Sequence, residues 1–276
     1  MKPSIVLPIR KLIVTWLLAA IVFLTAFLLY IATLAPGPVP GDPSEYIFVP
    51  YILGIAHPPG YALYTLVAKL WQTVIRVGTI AYRTNLLAAF AGASVVTLVY
   101  GIVLQIADAK AQKFLEPPRH QDRKGFEDRI LASFASLRFS SSLFAALSAM
   151  ASADLWQHAI HSNAHIVTAA LATLCLFLLV RWWRTNNDRW LAAAAFVAGL
   201  SLTHHPILAF SFPAYGIFVL LVKPRIITQP RKLGLLVGCF ALGLAPCLYY
   251  VLRGPSAPFN TLPTLDSMLI HVTAHG

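Results

Sequence analysis

The sequence predicts an all-α, polytopic membrane helix bundle, with an amphipathic helix lying at the membrane interface in its first outer loop. Three observations predict it. Of the 276 residues, 58% are hydrophobic and only 11% charged, with a mean hydropathy of +0.71, far more apolar surface than a soluble domain can bury. The apolar residues fall in runs separated by short polar loops. The formal net charge of +11 is concentrated in alternate loops, as expected where cytoplasmic loops are basic.

Lys2, Arg10 and Lys11 precede an apolar run from Leu12 to Leu34. The run is too long for a signal-peptide core, and no small-residue cleavage site ends it. It reads as a retained first span with a cytoplasmic N-terminus. The single transmembrane domain, residues 1–276, is then drawn with spans at about 12–35, 85–107, 139–157, 163–181, 190–204, 206–222 and 233–252. An outer catalytic loop covers 36–84 and a cytoplasmic loop 108–138. Several spans are short for a bilayer core of about 30 Å, as helices lining a cavity can be.

Residues 61–80 resemble another span but carry a polar stripe. Thr65, Lys69, Gln72, Thr73 and Arg76 recur at helical spacing, opposite Leu63, Leu66, Val67, Leu70, Trp71 and Val74. Such a helix lies in the interface with its apolar face in lipid; the alternative is a spanning helix beside a wet cavity. Charge decides between them. With 61–80 interfacial, Lys110, Lys113, Arg119, Arg123, Lys124, Arg129 and Arg138 fall on the cytoplasmic side, together with the loops Arg181–Arg189 and Lys223–Lys232. Asp42, Glu45, His57, Asp154, His204, His205 and the tail from Arg253 then lie on the non-cytoplasmic side.

The chain has no Gly-rich phosphate loop and no basic run interleaved with exposed aromatics, which argues against nucleotide and nucleic-acid binding. Cys175, Cys239 and Cys247 sit inside apolar runs at spacings that fit neither a disulfide framework nor a zinc site.

Acids beside a membrane span are costly, and Asp42 and Glu45 directly follow the first one. After Pro40 and before Pro43, Asp42 sits where a turn opens a helix. It can be an N-cap with Glu45 completing a capping box, or the two can be a general base and a second acid binding substrate or metal. A carboxylate suits glycosyl transfer, in which an acceptor hydroxyl must lose its proton as an oxocarbenium-like centre develops. His57-Pro58-Pro59-Gly60 is a rigid turn whose histidine can contact a phosphate or simply satisfy the turn. His158, His161 and His165 follow an i, i+3, i+7 pattern, one face of a helix, suited to a metal, a diphosphate or a wet surface. His204-His205-Pro206 separates two apolar runs, and one of its imidazoles can line a cavity. Arg83 and Arg253 flank spans and can grip a lipid phosphate or snorkel. A divalent metal is possible but not required.

On these residues the chain resembles the GT-C superfamily of polyprenol-dependent membrane glycosyltransferases. More narrowly, it resembles the protein O-mannosyltransferase-like family whose vertebrate member acts on plexin-type receptors. That family shows Asp-Ser-Gly-Glu, His-Pro-Pro-Gly-x-Pro-Leu-Tyr and Arg-x-Asn-Leu. Gly41, Asp42, Glu45, His57, Pro58, Pro59, Gly60, Leu63, Tyr64, Arg83, Asn85 and Leu86 match. Gly199 to His205 and the tail from Pro246 to Thr273 resemble later segments of the family. The resemblance implies Asp42 as catalytic base, with Glu45 the second catalytic-site acid, binding acceptor, sugar or lipid phosphate. It implies His57, Tyr64, Arg83, Asn85, Asn163, His205 and Arg253 as contacts to acceptor, sugar or lipid phosphate. The implied donor is a polyprenyl-phosphate-linked sugar, mannose in that family, and the implied acceptor a protein or other hydroxyl.

Three departures stand beside these matches. Pro43-Ser44 replaces Ser-Gly, Asn163 and His165 stand where a Glu-x-Tyr pair is usual, and the chain ends at Gly276 where relatives continue. The last is expected of a C-terminally truncated chain, one needing a partner for the missing part, or a non-catalytic subunit that binds or transports the lipid-linked sugar. The expected location is a bacterial inner membrane.

Overall fold

The computed structural model describes residues 9–114 and 124–273, with side chains at 13–109 and 137–273. The described residues form helices and connecting turns only, so the chain is an all-α membrane bundle. Among the described residues, four segments are long and apolar enough to cross a bilayer: Ile13–Ala32, Ile80–Ala109, Ala164–Thr185 and Pro230–Ser256.

Helix α1 (Ile9–Ala32) packs on α4 (Ile80–Phe114), which also packs on α5 (Lys124–Met150) and α7 (Ala164–Thr185). Close approach is possible because α4 presents Ala88, Ala89, Gly92 and Ala93 to its neighbours. A Cβ on Gly92 would lie 2.6 Å from that of Ala159. Helix α8 (Asp188–His204) runs back along α7, and α10 (Pro230–Gly243) packs on α8. Between them come a 3₁₀ segment, Pro206–Ser211, and α9 (Phe212–Val222).

Two expected helices have different ends. The helix expected over 139–157 stops at Met150, where the Ser152 amide bonds the carbonyl three residues back and the backbone turns extended. A separate short helix, α6 (Ala153–Ala159), follows. The helix expected over 233–252 breaks at Pro246, which has no amide hydrogen to continue the ladder, and resumes as α11 (Leu248–Arg253). The loop expected at 108–138 is shortened from both sides, since α4 reaches Phe114 and α5 starts at Lys124; Pro117 and Pro118 lie outside the described residues.

Helix α3 (Ala62–Val74) spans 13 residues, about 20 Å, too short to cross a bilayer. Its expected polar stripe is divided. Thr65 and Gln72 are buried, and Gln72 donates to Ile47 O (3.0 Å) and Thr84 Oγ1 (2.9 Å). Leu66, Val67, Leu70 and Val74 face outward.

The far end of the bundle carries a charged clamp. Asp188 accepts from Lys223 (3.0 Å), Lys232 (2.6 Å) and the Trp182 indole (3.2 Å). Burial pushes its carboxyl up, but the hydrogen bonds from Lys232, Lys223 and Trp182 outweigh that and bring it down to about 2, from 3.8. A depressed carboxylate pKa contributes stability above its unfolded value and loses it as pH falls through the folded one. The Tm of Asp188→Asn should therefore lie below wild type at pH 7, the gap narrowing as pH drops from 3.8 towards about 2. Melting both proteins in detergent across that range checks it.

Candidate functional site: an acidic turn ringed by histidines

The site is built on the first turn of α2 (Asp42–Ile52). Gly41, at φ 87°, is the residue before the helix, and it supplies no side-chain cap. This corrects the capping-box alternative: Asp42 is inside the helix and caps nothing. Asp42 and Glu45 stand one turn apart on the same face, at the helix end where the dipole favours anions.

Glu45 is held by the His-Pro-Pro-Gly turn. Its carboxylate accepts from the His57 amide (2.6 Å) and faces His57 Nδ1 (2.7 Å). A proton on Nδ1 completes that bond and leaves Nε2 as an acceptor. Asp42, Glu45 and His57 offer ligand atoms all within 4.8 Å of one another. They could hold a divalent cation, which would compete with the Glu45–His57 pair. Asp42 itself is exposed.

Aromatic and imidazole rings surround this turn. Tyr61 packs edge-on against Tyr46 (5.3 Å), His57 (5.5 Å) and His205 (5.5 Å). His205 leads to His165 (6.3 Å), and His165 to His158 (6.0 Å). The three histidines expected on one helix face instead lie across a break, because α6 ends at Ala159 and Asn163 caps α7. The turn still gathers them. Burial, then His158, lowers the pKa of His161, so it holds a neutral imidazole at neutral pH.

Of the residues expected to bind substrate, His57 and His205 are beside the acidic turn. The others serve the framework. Asn85 is fully buried; it donates to Ala35 O (2.7 Å) and Gly37 O (3.0 Å) and accepts from the Ser162 amide (2.8 Å). Ser162 Oγ in turn donates to Pro43 O (2.8 Å), so Asn85 positions the start of α2 through it. Asn163 accepts from the His165 amide (2.7 Å) as a helix cap. Tyr64 is buried and donates to Tyr46 O (3.3 Å). Arg253 donates to Leu53 O (2.9 Å), closing the C-terminal end of α2. Arg83 donates to Gln72 O (3.2 Å) and Gly78 O (3.0 Å), closing α3.

The sequence reading missed Tyr61 and the role of the tail. Tyr250 Oη donates to Pro59 O (3.0 Å) and accepts from the Ala62 amide (3.0 Å), an otherwise unpaired donor of the first turn of α3. Tyr249 donates to Gly54 O (2.7 Å), Asn260 to Ile55 O (3.0 Å), and His271 bonds Ala56 O (2.7 Å). Gly60 is required twice over: its φ is 89°, and a Cβ would lie 2.7 Å from the Tyr250 hydroxyl. Tyr250→Phe should cost about 1–3 kcal/mol by leaving Pro59 O and the Ala62 amide unpaired. Hydrogen exchange at Ala62 should accelerate while exchange in α7 stays unchanged.

An α-helical integral membrane protein with a carboxylate-bearing turn at the start of one of two short packed helices is the class these features define. A family model described as the protein O-mannosyl-transferase TMEM260 N-terminal domain matches residues 42–228, more than half of the chain, and the chain belongs to that family. The mouse protein O-mannosyl-transferase TMEM260 is 38% identical over 90 residues, 33% of this chain and 13% of the relative. The protein of the same name from Dictyostelium discoideum is 29% identical over 82 residues, 29% of this chain and 10% of the relative. These alignments thus cover a small part of the relatives' length. No solved structure matches.

Proposed function

We propose that the chain transfers a sugar, mannose by analogy with the names of its relatives, from a polyprenyl-phosphate donor to a protein hydroxyl, as a GT-C type glycosyltransferase. The observation that carries this reading is Asp42, an exposed carboxylate that caps nothing, next to a neighbouring acid already fixed by His57. In the proposed step the acceptor oxygen attacks the anomeric carbon from the face opposite the phosphate. The bond to the phosphate oxygen breaks, and polyprenyl phosphate leaves with the electron pair. Asp42 takes the hydroxyl proton, and the anomeric centre inverts. Glu45 and His57 would hold the acceptor or sugar, and His205 and Tyr61 would wall the cleft.

Sidedness belongs to the same proposal. His165 stands at one end of α7 and Arg184 at the other. The 22 residues of α7 span about 33 Å, a bilayer core. The acidic turn and the basic clamp around Asp188 therefore sit at opposite ends. With basic ends cytoplasmic, the site faces the non-cytoplasmic side and the N-terminus the cytoplasm. A bacterial inner membrane remains the proposed location.

The test is conversion of radiolabelled polyprenyl-phosphate mannose by purified protein, with Asp42→Asn as control. Asp42-dependent loss of lipid-linked sugar supports the reading, and equal activity of the variant overturns the assigned base. A second reading, a lipid-linked-sugar-binding subunit without turnover, is favoured by Asn163, whose side chain is spent on capping α7. It predicts donor binding that Asp42→Asn leaves intact, with no transfer by either protein.

A further inference from the structure

A polar cavity of about 270 Å³ opens at the other end of α2, lined by Tyr51, Lys69, Gln72, Thr73, Arg76, Ile80 and Arg83. Tyr51 is nine residues from Asp42 along the helix, about 13 Å. We propose that this cavity binds the phosphate of an anionic phospholipid, at a site separate from the acidic turn.

Charge is the first argument. Lys69 donates to Tyr51 O (2.5 Å), Arg76 to Thr73 O (3.4 Å), and Arg83 to Gln72 O and Gly78 O. Three cations thus meet the carbonyl ends of α2 and α3. Each helix C-terminus carries roughly half a negative charge, so the two ends offset about one of the three. No carboxylate lines the cavity, and none of the ion pairs among the described residues involves these cations. About two positive charges are left for an anion. Arg83 Nε also remains buried with no partner.

The second argument is what adjoins the cavity. Leu70, Val74 and Val77 are 66%, 65% and 62% exposed; Leu66, Leu70 and Val74 form a strip along α3 next in sequence to Lys69 and Thr73, and Val77 follows Arg76 just past the helix end. Free phosphate would have no use for that strip. A phospholipid would, its acyl chains lying on the strip while its head enters the cavity. This also accounts for the inward turn of Gln72 and Thr65, which leaves the outer face of α3 apolar.

The test uses purified full chain in neutral detergent, without polyprenyl donor, so that it is independent of the transfer reaction. Binding of phosphatidylglycerol, of phosphatidylcholine with the same chains, and of inorganic phosphate is followed by tryptophan fluorescence and thermal shift. Phosphatidylglycerol should bind at least about tenfold more tightly than phosphatidylcholine. The double variant Lys69→Gln/Arg76→Gln should lose about tenfold for phosphatidylglycerol and nothing for phosphatidylcholine. Lys69→Arg/Arg76→Lys should keep the affinity, showing that charge rather than folding is being read. Equal affinity for the two lipids, or no effect of the double variant, overturns the proposal. Inorganic phosphate binding as tightly as phosphatidylglycerol would overturn the lipid assignment in favour of a free-phosphate site.

Discussion

Asp42→Asn should lower sugar transfer by about 10²–10⁴-fold while leaving the fold and donor binding intact. The size follows from what the amide loses. It cannot take a proton from the acceptor hydroxyl, yet it keeps the shape and hydrogen-bonding reach of the acid. Stability should fall by no more than about 1 kcal/mol, the helix-dipole contribution of an anion in the first turn, because Asp42 is exposed and takes no part in capping α2 or in an ion pair among the described residues. Glu45→Gln is the informative comparison. It keeps an acceptor for the His57 amide but loses the charge that faces Nδ1. Its effect should be strongly non-additive with His57→Ala, since the two side chains act as one unit; Asp42→Asn, whose carboxylate lies within 4.8 Å of both, should also couple to them, but more weakly because it shares no direct bond with either. Transfer assays on the singles and doubles, each checked by melting, read all three. A drop for Asp42→Asn accompanied by an equal drop in donor binding would make Asp42 a binding group rather than the base.

The same comparison shows what the sequence could convey. The acid turn and the His-Pro-Pro-Gly turn are legible because each is local, and prolines and glycine fix their backbones within a few residues. That Glu45 and His57 meet across 12 positions is not a periodic signal. It needs α2 to reverse at Leu53, held left-handed at φ 55°. Arg83 and Arg253 are ambiguous for a different reason. An arginine beside a span has the same local pattern whether it grips a phosphate or a carbonyl. Here both bond the carbonyls of helix ends within reach, and of the two Arg83 also lines the polar cavity. The tail's hold on the His-Pro-Pro-Gly turn joins residues 188 to 215 positions apart, beyond any helical or strand repeat. The histidines are an intermediate case: their spacing suggested one helix face, and a break in the helix gathered them by another route.

Gly199→Val should destabilise the bundle more than any substitution at the site, because α8 and α10 touch backbone to backbone. A Cβ on Gly199 would overlap the Phe240 carbonyl oxygen, and one on Gly243 would overlap that of Phe196. The obstacle in each case is main chain, which cannot swing aside as a side chain can. The helices must separate or slide. Even one methyl, in Gly199→Ala, should cost about 1–3 kcal/mol, and the branched valine more. The controls lie on α10, the partner helix that carries Gly243. Gly234 and Gly238 have nothing within 4 Å of an added Cβ, so alanine there should be neutral or stabilising by up to about 1 kcal/mol through helix propensity. Fluorescence-detected gel filtration and thermal melts of the alanine variants at Gly199, Gly234, Gly238 and Gly243, with Gly199→Val, measure this directly. Small residues at this crossing stand in for the hydrophobic drive that lipid removes, since in a membrane helices gain by close packing rather than by escape from water. If Gly199→Ala melted with Gly234→Ala, the close crossing of α8 and α10 would be wrong. The placement of His204 and His205, which α8 carries to the edge of the acidic cleft, would then be wrong with it.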